Sequence, residues 1–214
     1  MSANYEQARA YALGRLAAEL SPHLAYHSLR HTRDDVLPAA VRLAGAVGVD
    51  GDDLLCLATA ALFHDIGFLF SYDDHEAHGI ALARVALPEF GYSAAQVDII
   101  AQLIAATKMP QTPRCALAEL LCDADLEVLG REDFWEINRL LLAETRHYRQ
   151  AGIDEAEWLA GQLRFLEQHV YFSAAAHERC DSGKARNANR MRHALHLSLI
   201  HISEPTRRTP ISYA

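Results

Sequence analysis

Apolar residues recur along this chain every three to four positions, the spacing of one helical face. Ala8, Tyr11, Ala12, Leu16 and Leu20 mark such a face in a first segment, Ser2 to Leu20. Ser21-Pro22 is placed to end that helix and begin another. Asp34 or Asp35 then opens a helix whose apolar face runs Val36, Ala40, Val41, Leu43, Ala44 and Val47, with Gly48 as its stop. Asp52 caps a strongly apolar helix, Leu54 to Ile66, closed by Gly67. Further helices are predicted at His75–Ala86, after a Ser93 cap through Thr107, at Leu117–Leu129, Asp133–Gln150 and Asp154 to about Ala176. A last basic helix is predicted at Lys184–Leu195.

Nowhere do apolar and polar residues alternate between turns in the manner of a strand, so the fold class expected is an all-α bundle. No internal repeat or low-complexity linker divides the chain, and one helical domain over residues 1–196 is expected. Residues 197–214 stand apart. Leu197 to Arg207 reads LSLIHISEPTR, which resembles the translation of a transposase-type sequencing adapter. The expectation is read-through in place of native protein, with the native sequence cut near His196. Pro205 and Pro210, with Ser and Thr beside them, leave no helical period after Ile202.

Half of the 214 residues are hydrophobic, enough for a sizeable core, and the formal net charge is −8. An acidic chain lacks the field that gathers a nucleic-acid backbone, so no nucleic-acid polymer is expected as partner. A small anionic substrate stays open, because a bound dication reverses the local sign of charge. Cys56, Cys115, Cys122 and Cys180 form no C-x-x-C pair and are expected as reduced thiols. No apolar leader follows Met1, and no apolar run is long enough to span a bilayer. A cytoplasmic protein without a membrane partner is expected.

Two apolar segments contain ionisable residues that the pattern does not call for. His64-Asp65 interrupts the run from Leu54 to Phe70, and Asp123-Ala124-Asp125 interrupts a helix reading Leu117, Leu120, Leu121, Leu126 and Leu129. Burying an unpaired carboxylate costs several kcal/mol or more, so each implies a partner. A metal dication accepts both imidazole nitrogen and carboxylate oxygen; a buried His–Asp hydrogen bond without metal is the plainer account.

Taken with Tyr26-His27-Ser28-Leu29-Arg30-His31-Thr32, these segments resemble the HD superfamily of metal-dependent phosphohydrolases. That family is defined by a histidine, a later His-Asp doublet and a distant aspartate. The matching positions are His31, His64-Asp65 and Asp125, within Phe-His-Asp-Ile-Gly and Asp-Ala-Asp-Leu flanks. The resemblance covers roughly Tyr26 to Glu144. It implies an HD-domain helical bundle with one divalent metal at His31, His64, Asp65 and Asp125. The nitrogen–oxygen donor set suits Mn, Mg, Fe, Co or Zn. The implied activity is hydrolysis of a phosphate mono- or diester of a nucleotide or similar small metabolite, and a homodimer is compatible with it.

By the same resemblance His27 is the candidate general acid, four residues before His31 and on the same face if that stretch is helical. A supporting or surface histidine is the other reading. Glu76 is a candidate to orient the nucleophilic water and Lys108 to meet a phosphate, though each is equally a solvated charge. Arg30 and Arg33 are further phosphate candidates. His75 and His78 sit where some relatives hold a second metal, but Ala105-Ala106-Thr107-Lys108 lacks the histidine those relatives add. Two other functions compete. One is a sensory module that binds metal or ligand and turns over nothing; the other is a di-iron oxygenase, which would need the second site.

Overall fold

Residues 2–149 and 152–203 are described by a computed structural model. Among the described residues the chain forms nine α-helices and no strand. They are α1 (Tyr5–Glu19), α2 (Leu37–Ala46), α3 (Gly51–Phe63), α4 (His75–Ala86) and α5 (Ala94–Ala106), followed by α6 (Ala116–Asp125), α7 (Phe134–Tyr148), α8 (Glu155–Gln168) and α9 (Ala174–Ser203). None of them is long and apolar enough to cross a membrane.

The most apolar stretch becomes the central helix. Every residue of α3 from Cys56 to Phe63 is buried, as expected of a helix that is hydrophobic all round. Helices α1, α2, α5 and α6 pack around it, and together with α4 they hold the larger hydrophobic core. A smaller core of Leu129, Phe134, Leu159, Leu166, Ala188 and Met191 joins α7, α8 and α9 to the turn Glu127–Gly130. Ser93 closes a full capping box with Gln96 at the start of α5, as its position predicts.

Several boundaries differ from the pattern-based expectation: Asp50, not Asp52, stands at the N-cap of α3, α6 ends at Asp125, not Leu129, and three further differences have an identifiable reason. No helix begins at Pro22: residues 21–28 are irregular. The backbone N–H groups of Tyr26 and His27 donate to the Glu144 carboxylate at 2.9 and 3.0 Å, which takes two donors a helix would have used. Helix then begins before Asp34, passing through a π-helical turn, His31–Val36, into α2. The long helix expected from Asp154 to Ala176 is broken instead. Asp123 accepts the backbone N–H groups of Phe172 and Ser173, both at 2.8 Å, and the chain restarts there as α9.

That last helix is far longer than Lys184–Leu195 and runs on through Ser203, into the stretch expected to be read-through. Residues 204–214, the rest of that stretch, and Gln150, the expected end of α7, lie outside the described residues.

Helix α9 crosses the Glu127–Gly130 turn at glycine-to-glycine distance. A Cβ on Gly183 would stand 1.9 Å from the Gly130 carbonyl oxygen. Asn187 completes the contact, its Nδ2 donating to the carbonyls of Leu129 and Arg131 at 2.9 and 2.8 Å. Gly183→Ala is therefore expected to lower unfolding free energy by about 1–3 kcal/mol, the range for overpacking. Gly14→Ala in α1, where a Cβ meets nothing within 4 Å, is expected to be neutral or to stabilise by up to about 1 kcal/mol. Urea denaturation midpoints test the pair, and equal midpoints would refute the close crossing.

Candidate metal centre

Two helices end where the ionisable residues of the core meet. Helix α3 delivers His64 at its C-cap and Asp65 just beyond it. Asp125 is the last residue of α6, and the π-helical turn delivers His31. Both α-helices present their C-terminal ends, whose unpaired carbonyls carry partial negative charge and favour a cation. A π turn adds a residue to the helical circuit and is often found at functional sites. Here Leu37 N–H bonds to the Thr32 carbonyl five residues back, offsetting His31 from the face of α2.

His31, His64 and Asp65 are buried, and each offers a ligand atom within 4.8 Å of the others. His31 Nε2 lies 3.5 Å from Asp65 Oδ2 and 3.2 Å from Asp125 Oδ1. His64 Nε2 lies 3.1 Å from Asp65 Oδ2 and 3.6 Å from Asp125 Oδ1. Nδ1 of His64 donates to the Ala61 carbonyl at 2.9 Å, leaving the Nε2 lone pair turned towards the carboxylates. Two atoms of this group, His64 Nε2 and Asp65 Oδ2, are buried without a hydrogen-bond partner among the described residues. Orphaned polar atoms of this kind are rare in cores, and these two converge with His31. The group could hold a metal ion.

Electrostatics agree with that reading. Burial alone would push His64 towards neutrality, but Asp65 and Asp125 outweigh it and hold its pKa well above the ordinary value. Burial opposes ionisation of both carboxyls too, yet His64 with Asp65, and His31 with Asp125, hold them below the usual range. Without a cation, a proton on His64 offsets part of the carboxylate charge. A divalent ion would take the place of that proton and supply more positive charge.

Asp123 and Asp125, two residues apart, do different work. Asp123 is consumed by the start of α9, as described above. Asp125 points its Oδ1 at the histidines, and its Oδ2 accepts from Gln111 Nε2 at 3.3 Å. Gln111, from the loop after α5, has no sequence signal that would have singled it out.

The residue that pattern reading missed altogether is Glu144. It is fully buried on α7, and besides the two backbone N–H groups it engages Nδ1 of His27 through Oε1. Burial would lower the His27 pKa, but the Glu144 hydrogen bond and then Asp65 more than reverse this and raise it. The Glu144 carboxyl is lowered in turn, His27 outweighing its burial. His27 therefore stands beside His31, ring centroids 6.0 Å apart, but not through helical spacing, since its segment is irregular. A glutamate in an amphipathic helix looks like any solvated charge until its burial is known.

The remaining candidates separate. His75 stacks on Phe68 at 3.8 Å and sets Nε2 3.5 Å from both Asp65 Oδ1 and Glu76 Oε1. Glu76 is buried there, whereas His78 is exposed, so the expected His75/His78 pairing is replaced by His75 with Glu76. Gly67 is what admits His75: a Cβ there would fall 1.8 Å from the His75 carbonyl oxygen. Lys108 is exposed and ion-paired with Asp74 at 2.5 Å. Arg33 pairs with Asp34 at 2.7 Å and Arg30 with Asp133 at 3.4 Å, all at the surface.

A cavity of about 260 Å³ opens onto the group. Its polar end is lined by Tyr26, His27, Asp65, His75, Glu76 and Asp125, and it continues into the smaller hydrophobic core.

Asp125→Ala is expected to weaken metal binding by at least about tenfold, the lower end of the 10–100-fold losses that follow removal of a group supporting a metal site. Asp123→Ala is expected to keep the metal but lose about 1–3 kcal/mol of stability, because two backbone donors lose their acceptor. Titration with manganese or zinc, beside denaturation curves, checks both, and the reverse pattern would overturn the assignment. Compared with models of protein families, with curated proteins and with solved structures, the chain matches none.

Proposed function

We propose that this chain is an HD-type, divalent-metal-dependent phosphohydrolase that cleaves a phosphate mono- or diester of a small metabolite. The observation that carries the reading is the convergence of His31, His64, Asp65 and Asp125, of which Asp65 and Asp125 line one end of a cavity. The three sequence motifs that resemble the HD superfamily supply these same four residues. Mixed imidazole and carboxylate donors fit Mn, Fe, Co, Mg or Zn. When bound, such an ion supplies a water of lowered pKa and polarises a phosphoryl oxygen.

The protein's own groups divide the rest of the work. His64 Nδ1 donates to the Ala61 carbonyl, so Nε2 is the atom left to ligate an ion once it gives up its proton. Glu144 occupies Nδ1 of His27, which leaves Nε2 to hold a proton for the leaving oxygen at the edge of the cavity. Glu76 and His75, side by side against Asp65, can orient a water on the other side. Tyr26 keeps its phenol proton, because burial and then the Asp125 charge raise its pKa well above the usual value, and it remains a donor in the wall.

Purified protein assayed on phosphomonoesters and phosphodiesters with added manganese tests the reading. Turnover is expected to need metal, to disappear on chelation and to be lost in His64→Ala and Asp65→Ala. His27→Ala is expected to lower kcat about 10²–10⁴-fold with metal content unchanged, as for loss of a general acid. Glu144→Gln should lower kcat less while shifting its pH profile. Metal bound by all four residues with no ester cleaved would refute the hydrolase and favour a sensory module.

A further inference from the structure

The far end of the cavity has a chemistry of its own. Beyond the polar end its walls are Val128, Leu129, Phe134, Ile137, Leu141 and Phe165, and among the described residues no lysine or arginine lines it. Two amides, Asn138 and Gln162, are set into this apolar lobe. Their orientation follows from one group that can only donate. The Trp158 indole N–H gives its hydrogen to Asn138 Oδ1 at 2.8 Å. The Asn138 amide nitrogen therefore faces Gln162 and donates to its Oε1 at 2.8 Å. Gln162 is left with an NH₂ group that has no partner among the described residues. A chain that begins on an indole N–H thus ends in donors, inside an otherwise apolar lobe.

Resting on the phosphohydrolase reading, we propose that this lobe selects the alcohol part of the substrate. The substrate class is a phosphomonoester of a compact apolar or aromatic alcohol that carries a hydrogen-bond acceptor, such as a ring nitrogen or a carbonyl. A volume of about 260 Å³ lies just below the usual range for ligand pockets, which favours a small body. Sugar hydroxyls need both donors and acceptors, and apolar walls leave them unpaired at a cost. A polyphosphate needs cationic side chains, which the lobe does not offer.

Primary alcohols of similar leaving ability make the comparison of 3-pyridylmethyl phosphate, benzyl phosphate and ribose 5-phosphate fair; ATP, a phosphoanhydride with the better leaving group, is added as the polyphosphate. For wild type, kcat/KM is expected to be about tenfold or more higher for the pyridylmethyl than for the benzyl ester, and higher for both than for ribose 5-phosphate or ATP. Gln162→Leu should shrink the pyridylmethyl-to-benzyl ratio by about tenfold. A second readout needs no turnover. The chain has two tryptophans, so Trp135→Phe leaves Trp158 as sole reporter of the lobe. Its fluorescence should change with 3-pyridylmethylphosphonate at lower concentration than with ribose 5-phosphate. Equal or better turnover of ribose 5-phosphate or ATP would overturn the lobe's selectivity while leaving the hydrolase intact. Selective fluorescence change with no ester cleaved would sink the hydrolase and leave the selectivity standing.

Discussion

A carboxylate in an apolar core must be matched by positive charge, and much of this molecule is arranged around that requirement. Asp65 sits at the end of a helix whose preceding residues, from Cys56, are buried. An isolated ion there would cost several kcal/mol or more, a large share of the about 5–15 kcal/mol by which native proteins are stable. His64, whose pKa Asp65 and Asp125 raise, stands 3.1 Å from Asp65, His31 and His75 each lie 3.5 Å away, and the two helix C-termini add to the demand for a cation. The same requirement explains the surrounding backbone. The π turn that sets His31 and the glycine that admits His75 are both departures from ordinary helix building, and both lie against this one carboxylate.

The smaller core answers a different need. It closes the cavity opposite the ionisable group, so that one end is charged and the other oily. Helix α7 serves both ends. Glu144 on it grips His27, and Ile137, Asn138 and Leu141, one and two turns earlier, form the wall of the lobe. His27 and the apolar wall of the cavity are thereby set by one rigid element.

Much of this was legible in the sequence, for reasons that can be stated. Helix class follows from a 3.6-residue period, and the caps at Ser93 and Asp154 fall where short polar residues precede apolar runs. His64, Asp65 and Asp125 announced themselves as charges in apolar helices. Partners supplied by tertiary structure could not be read that way. Asp123 and Asp125 look alike in the apolar pattern; the resemblance chose Asp125 by register alone, and the physical difference is that Asp123 accepts the N–H groups of Phe172 and Ser173. Glu144 and Gln111 belong to segments polar enough to hide a functional side chain. The irregular stretch from Ser21 to Ser28 misled the helical reading because its backbone donors are satisfied by a side chain more than a hundred residues later.

That separation has a consequence for how the chain acquires its site. Loop closure over so long a span is slow compared with forming a local helix. A chain synthesised from its N-terminus carries His31, His64, Asp65 and Asp125 well before it carries Glu144. The group of His31, His64, Asp65 and Asp125 is therefore complete in the growing chain before Glu144 is added. The segment holding His27 is fixed only when α7 docks, so the four-residue group and the setting of His27 become two separable events in the folding of one protein.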